Sequence, residues 1–157
     1  MAYTEIVFKE TVLEFSGILD FKEFLKTLRE FFKRHDYDVN EKNYHSKPKD
    51  GFKNMKIVWV CDRKYDDYNE AVVKIKIEMN NYKESTGKKL VEGDLKVSIV
   101  GEMNRDYGNK WTQNVFKIFI RSLYDKYISG IKSGAADKEL KKVIDGLNYE
   151  VKQYLQI

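Results

Sequence analysis

Apolar residues recur at helical spacing for longer between Trp111 and Ile131 than anywhere else in the chain. Only a narrow polar stripe, which includes Lys117 and Arg121, interrupts them, so the pattern predicts a helix that is covered on more than one side. We expect this segment to be the central helix of the domain. Its apolar positions are Val115, Phe116, Ile118, Phe119, Ile120, Leu123, Tyr124, Tyr127, Ile128 and Ile131.

Two further segments show a single apolar face with helical period. The first is introduced by Asp20 and Glu23, which form a capping-box pattern, and its apolar positions run from Phe21 to Phe32. The second is expected to begin near Ala135, after Gly130 and Gly134 have interrupted the preceding pattern. Its apolar positions are Leu140, Val143, Ile144, Leu147, Val151 and Leu155, and Gly146 lies inside this last helix.

Other segments alternate with the period of two that is typical of strands. A strand from Thr4 to Phe15 changes parity, which predicts a bulge near Lys9–Thr11. A short polar strand is expected between Tyr37 and His45, and Ser46–Gly51 has the composition of a turn. Three strands follow, with inward positions Met55, Ile57, Trp59 and Cys61, then Ala71, Val73, Ile75, Ile77 and Met79, then Leu95, Val97, Ile99, Gly101 and Met103. One apolar face per strand indicates an antiparallel sheet that is covered on a single side.

The order of elements, β-α-β-β-β-β-α-α, predicts one α+β domain over residues 1–157, with an antiparallel sheet of about five strands and the helices on one face. This order resembles the helix-grip architecture of START-type lipid-binding domains and the related plant allergen proteins. The resemblance covers most of the chain and lies in the order of elements rather than in a motif. It implies a curved sheet around a long C-terminal helix with a cavity between them, and it assigns no functional residue.

The cysteine count, the length of the apolar runs and the charge indicate which classes of protein the chain can belong to. The single cysteine, Cys61, cannot form an intramolecular disulfide. The beginning of the sequence lacks a signal-peptide pattern, and no apolar run approaches the roughly 20 residues of a membrane helix, so we expect a cytoplasmic protein without a membrane span. The net charge of +4 comes from 29 basic and 25 acidic residues that are interspersed. Most of the basic residues are lysine, which disfavours a specific nucleic-acid reader.

The sequence contains no recurrent catalytic or metal-binding motif. Side chains of the types that bind metals occur at His35, His45, Cys61, Asp62, Asp66 and Asp67. Their spacing matches no recurrent zinc or calcium pattern, so we expect no metal and no cofactor. The adjacent carboxylates Asp66 and Asp67 could act as acid and base, but we interpret them as part of a solvated turn. The lack of such motifs favours a protein that is not an enzyme.

Inward-facing aromatic residues favour a small-molecule site instead. The loop Glu102–Trp111 joins the last strand to the central helix and would border the mouth of a cavity, although a plain connection is the alternative interpretation. The leading hypothesis is a non-enzymatic binding protein that holds a small apolar or amphipathic ligand, such as a lipid, between the sheet and the central helix. The candidate ligand-binding residues are Trp59, Ile75, Val97, Arg105, Tyr107, Trp111, Phe116, Phe119 and Tyr127.

Two other hypotheses stay open. A protein-interaction or self-assembly module would bind a protein partner or a second copy through the last helix or through the edge strand near Tyr37–His45. Non-specific nucleic-acid binding through the lysine-rich outer face of the sheet is the weakest of the three, because that face supplies charge without aromatic rings on which bases could stack.

Overall fold

The described residues form a five-stranded antiparallel sheet and two helices. The computed structural model describes residues 3–49, 52–66, 68–84, 90–105 and 129–157. The strands are β1 (Tyr3–Leu19), β2 (Asp38–Lys49), β3 (Phe52–Lys64), β4 (Asn69–Glu84) and β5 (Val91–Arg105), and the helices are α1 (Phe21–Arg34) and α2 (Ser129–Leu155). The predicted α+β class and the predicted antiparallel sheet are confirmed.

The sheet has the strand order β1-β5-β4-β3-β2, so that β1 and β2 lie at its two edges. The chain leaves β1, passes through α1 to the opposite edge, and returns strand by strand until β5 pairs with β1. The predicted bulge in β1 is confirmed, because the pairing with β5 shifts register between Ile6 and Phe8 and again between Phe8 and Thr11.

Two strands are longer than the sequence predicts. β1 does not end at Ser16 but continues to Leu19, because pairing with β5 carries on and the Ser16 hydroxyl donates a hydrogen bond to Asp94 Oδ1 at 2.8 Å. β2 continues past His45 to Lys49, so residues 46–49 belong to a strand rather than to the expected turn. In both places, pairing with a neighbouring strand outweighs the local preference of the residues for a turn.

The first helix begins where the sequence predicts. Asp20 is its N-cap, and the Asp20 carboxylate accepts a hydrogen bond from the backbone N–H of Glu23 at 3.1 Å. This bond satisfies one of the backbone donors that a helix leaves unpaired at its start. The buried face of α1 consists of Phe21, Phe24, Leu28, Phe31 and Phe32.

The second helix begins earlier than the sequence predicts. The expected break at Gly130 and Gly134 and the expected start near Ala135 are wrong, since α2 runs without interruption from Ser129. Each glycine costs a helix about 1 kcal/mol, and tertiary packing of an apolar face outweighs that cost. The buried residues of α2 are Ala136, Leu140, Val143, Ile144, Leu147, Val151 and Leu155. The remainder of the predicted central helix, residues 111–128, lies outside the described residues.

Both helices pack on the apolar face of the sheet and share one core with it. From Ile57 onward, every predicted inward position of β3, β4 and β5 with a large apolar side chain is buried. This confirms which face of each of these strands points toward the core. Within the described part of the chain, no helix is long and apolar enough to cross a membrane.

Candidate functional site

Three of the predicted ligand-binding residues lie on the apolar face of the sheet. Trp59 in β3 is paired in register with Ile75 in β4, and Val97 in β5 is paired with Ile77, the next inward position of β4. All three side chains are 0 % exposed. They belong to the core that the sheet shares with the helices, which is where the sequence places them.

Trp59 has two charged neighbours that the sequence does not reveal. The guanidinium carbon of Arg29 in α1 lies 4.5 Å from the centroid of the Trp59 ring, a cation–π contact. Arg29 also lies 3.6 Å from the carboxylate of Glu41, and Glu41 is the residue of β2 that pairs with Trp59. The guanidinium of Arg29 therefore lies over the indole and is paired with a carboxylate from the edge strand.

The indole N–H of Trp59 is buried and has no hydrogen-bond partner among the described residues. A buried donor without an acceptor costs about 1–3 kcal/mol, so proteins rarely leave one. We name the group formed by Trp59, Ile75, Val97, Arg29 and Glu41 the Trp59 site.

Arg105 lies at the end of β5, and only 4 % of the residue is exposed. Its guanidinium donates hydrogen bonds to Asn69 Oδ1 at 2.8 Å, to Glu5 Oε2 at 3.0 Å and to both carboxylate oxygens of Asp137 at 3.0 and 3.1 Å. Burial lowers the pKa of Arg105, but the hydrogen bond that Arg105 donates to Glu5 and the negative charge of Asp137 outweigh this effect and raise the pKa overall. Arg105 therefore stays a cation and joins three strands to the first half of α2.

The Arg105 guanidinium is thus bonded to side chains of the protein itself, and its role at the mouth of a cavity stays a prediction. The sequence does not predict the partners of Arg105, which are Glu5, Asn69 and Asp137, because they come from β1, β4 and α2 and share no local pattern with β5. The other predicted ligand-binding residues lie outside the described residues and stay predictions: Tyr107, Trp111, Phe116, Phe119 and Tyr127.

The buried titratable groups near Trp59 are held in their neutral forms. Burial, reinforced by the charge of Asp62 and opposed by Arg29, raises the pKa of the Cys61 thiol from 9.0 to about 12. Burial is also the main reason that the pKa of Tyr37 rises from 10.0 to about 12. A thiol with so high a pKa is a poor nucleophile, because only the thiolate reacts readily.

The acidic turn between β3 and β4 has a structural role. The Asp66 carboxylate accepts hydrogen bonds from the backbone N–H groups of Tyr68 at 2.8 Å and Asn69 at 2.7 Å. This agrees with the interpretation of the segment as a turn, while Asp67 lies outside the described residues. Across the described ranges, no three His, Cys, Asp or Glu residues are grouped so that they could hold a metal ion.

A second feature is an open surface groove between the two helices, with a volume of about 860 Å³. It is lined by residues of α1 and α2 that include Thr27, Glu30, Tyr149 and Tyr154. An ion pair between Arg34 and Glu150 also lines it and joins the helices. The groove lies on the solvent side of the helical layer, away from the sheet.

Comparisons of the chain with protein-family models, with curated proteins and with solved structures found no match. Its function is therefore inferred from its own residues and their geometry.

Proposed function

We propose that this chain is a non-enzymatic binding protein that holds a small, largely apolar ligand with one hydrogen-bond acceptor between the apolar face of the sheet and its helices. The observation that carries this proposal is the indole N–H of Trp59, a buried donor with no acceptor among the described residues. A ligand oxygen at the Trp59 site would accept this hydrogen bond and remove the cost of leaving it unmade.

Trp59 differs from Thr11 and Asn148, which also carry a buried polar atom with no hydrogen-bond partner among the described residues. Thr11 and Asn148 are only partly buried, so solvent lies close to them. Trp59 is 0 % exposed, so its indole N–H needs a hydrogen-bond acceptor inside the core.

The other residues of the Trp59 site define the chemistry of the ligand. Ile75 and Val97 offer only apolar contacts, which suits an aliphatic or aromatic body. The guanidinium of Arg29 over the ring supplies positive charge on the helix side, which the Glu41 carboxylate at 3.6 Å partly offsets, so a neutral or weakly anionic acceptor suits the site. An amphipathic ligand with a small anionic or carbonyl end fits both features. The resemblance to helix-grip proteins, which place a ligand between a sheet and a C-terminal helix, supports the same assignment.

Native mass spectrometry of the purified full chain tests the proposal. We expect a species heavier than the chain alone, whose extra mass is released on denaturation and recovered by solvent extraction. Dodecanoate serves as a probe for the stripped protein, and we expect it to shift the Trp59 indole signal in a ¹H–¹⁵N spectrum, because a new acceptor deshields that proton. A chain of unmodified mass whose indole signals do not respond to dodecanoate would refute the proposal.

A pair of variants separates the hydrogen bond from the packing. Trp59→Phe keeps an aromatic ring but removes the N–H, and we expect dodecanoate affinity to fall about tenfold, which corresponds to a loss of about 1.4 kcal/mol. Ile75→Val is the matched control, since it removes one methylene from the neighbouring residue and leaves the donor intact. Equal losses of affinity in both variants would mean that the indole donor contributes nothing specific.

A further inference from the structure

The second half of β1, from Thr11 to Leu19, is an unprotected sheet edge. This half pairs with β5 without a register shift, whereas both bulges of β1 lie before it. β1 is the outermost strand of the described sheet, so one side of this half faces no described strand. A long and regular edge presents a row of backbone N–H and C=O groups to which another strand can add.

Both faces of this half-strand carry exposed or partly exposed apolar side chains. On the outer face, Val12 is 44 % exposed and Ile18 is 60 % exposed. On the inner face, Leu13 and Phe15 are only partly buried at the margin of the core. Glu14 is the one charged residue in the segment, which contains no lysine and no proline. Solvent-exposed edges normally carry such residues to prevent pairing, so this edge lacks the usual protection.

The other edge of the sheet has that protection. β2 contains Lys42, Lys47, Pro48 and Lys49, and its pairing with β3 is interrupted by a register shift between Glu41 and Asn43. Proline removes a backbone donor, and lysine is costly to bury in a new pairing. The two edges therefore differ. β2, the edge that the sequence analysis names as a candidate surface for a partner, resists the addition of a strand, and the second half of β1 does not.

The unprotected half of β1 is complementary to itself. If two copies pair antiparallel with Phe15 opposite Phe15, then Val12 of each copy faces Ile18 of the other on the outer face, and Leu13 faces Gly17 on the inner face. Glu14 then faces the hydroxyl group of Ser16. The nearby registers are worse: a centre at Glu14 places two carboxylates opposite each other, and centres at Ser16 and Leu13 place the Glu14 carboxylate opposite the apolar side chains of Ile18 and Val12. Like charges directly opposite destabilise a strand pair.

We propose that a second copy of this chain binds along Thr11–Leu19 of β1, in the antiparallel register centred on Phe15, and extends the sheet across a two-fold axis. The contact uses the same surface of both copies, which closes the assembly at a dimer. Backbone hydrogen bonds supply the pairing, and the two Val12–Ile18 contacts cover the exposed apolar side chains. The interface contains no residue of the Trp59 site, although Leu13 pairs with Val97 of β5, and it does not require a bound ligand.

Sedimentation of the full chain tests the dimer. We expect a dimer at tens of micromolar, and we expect Val12→Lys and Ile18→Lys each to weaken it at least about tenfold, because each places charges at the pairing edge. Ile6→Lys is the matched control: Ile6 is 64 % exposed on the outer face of the same strand, but it lies in the bulged half. A wild-type chain that sediments as a monomer, or a dimer that all three variants weaken equally, would overturn the proposal. Circular dichroism checks that each variant is folded.

Cysteine cross-linking tests the register. We expect an intermolecular disulfide when Val12→Cys and Ile18→Cys proteins are mixed, because facing residues of paired strands bring their Cβ atoms within disulfide reach. Neither variant alone should cross-link, because its two cysteines would lie about 20 Å apart at roughly 3.3 Å per residue. The native Cys61 is buried and does not compete. Cross-linking of either variant with itself, at the yield of the mixture, would show that the register is wrong.

Discussion

Helix α2 makes two contacts that each include a glycine, one with the sheet and one with α1, and they differ in how much room they leave. At Gly101 in β5, a methyl group on the backbone would overlap Ile144 Cδ1 and lie 2.9 Å from Phe8 Cβ. At Gly146 in α2, a methyl group would lie 3.6 Å from Phe31 Cζ, an ordinary van der Waals distance. The contact between α2 and the sheet therefore has no room for an added methyl group at Gly101, whereas the contact between the helices has room for one at Gly146.

This difference shows which surface fixes the position of α2. The sheet contact combines close packing at Gly101 with the hydrogen bonds of Arg105 to Asp137, so the sheet restrains both the depth of the helix and its first half. The helix contact lies beside the surface groove, and an ion pair between Arg34 and Glu150 crosses it. We infer that α2 is placed by the sheet and that α1 adapts to it.

Replacing Gly101 by alanine is expected to have the largest effect. The added methyl group forces Ile144 or Phe8 to move within a packed core, and overpacking of this kind costs about 1–3 kcal/mol. Because Phe8 is contacted at Cβ, which cannot rotate away, we expect a loss near the upper end, about 3 kcal/mol. Urea unfolding followed by circular dichroism measures the change in the free energy of unfolding.

The variant Ile144→Val gives the control for this prediction. It removes the methyl group that the new alanine would overlap, and by itself it costs about 0.5–1.5 kcal/mol. In the double variant we expect part of the Gly101→Ala loss to be recovered, since the two residues share one contact. If the two losses simply add, the overlap with Ile144 is not the cause.

The sequence predicts the face on which Gly101 lies but not the contact that it makes. Alternation along β5 places Gly101 among the inward residues, because side chains on a strand have a period of two. The approach of Ile144 depends on where α2 crosses β5, and no local pattern encodes that crossing. The same limit explains why the sequence predicts the inward position of Trp59 but not its contacts with Arg29 and Glu41. The indole faces inward by alternation, while its neighbours come from a helix and from the edge strand.

Arg105 is a second residue whose tertiary contacts the sequence does not predict. Its position at the end of a strand, before a loop rich in polar and aromatic residues, predicts a ligand contact, and the structure gives it acceptors from β1, β4 and α2 that the sequence does not predict. A buried arginine takes whichever carboxylates the tertiary fold brings near it. The parts of the site that depend on pairs of distant residues could therefore not be predicted, whereas the strand faces and the cap of α1 could.

Raising the pH is expected to destabilise the region where α1, β2 and β3 meet. Cys61 and Tyr37 have pKa values of about 12 in the folded protein, against ordinary values of 9.0 and 10.0. Above pH 9 the unfolded chain loses these protons before the folded chain does, so the free energy of unfolding decreases as the pH rises toward 12. For Cys61 alone, we expect a loss of about 2–3 kcal/mol by pH 11. Urea unfolding at a series of pH values measures this dependence.

Two conservative variants assign the alkaline effect to its groups. Cys61→Ala and Tyr37→Phe remove the titrating proton, so each should flatten the dependence on pH, whatever each costs in stability at neutral pH. We compare the slopes of the free energy of unfolding against pH, not its values at neutral pH, because both variants also change the packing of the core. Slopes above pH 9 that match the wild type would mean that these two groups do not cause the destabilisation.

Replacing Gly146 by alanine is expected to have the smallest effect and the opposite sign. Alanine is favoured over glycine by about 1 kcal/mol inside a helix, and the new methyl group meets only the ring edge of Phe31 at an ordinary contact distance. We expect urea unfolding to show a gain of up to about 1 kcal/mol. Gly134→Ala in the same helix is the matched control, because a methyl group there has nothing within 4 Å and reports the helical preference alone. A larger gain at Gly146 than at Gly134 would mean that the methyl group fills space against α1. A loss at Gly146 would mean that the contact between the helices is as full as the contact at Gly101, and that the sheet is not alone in fixing α2.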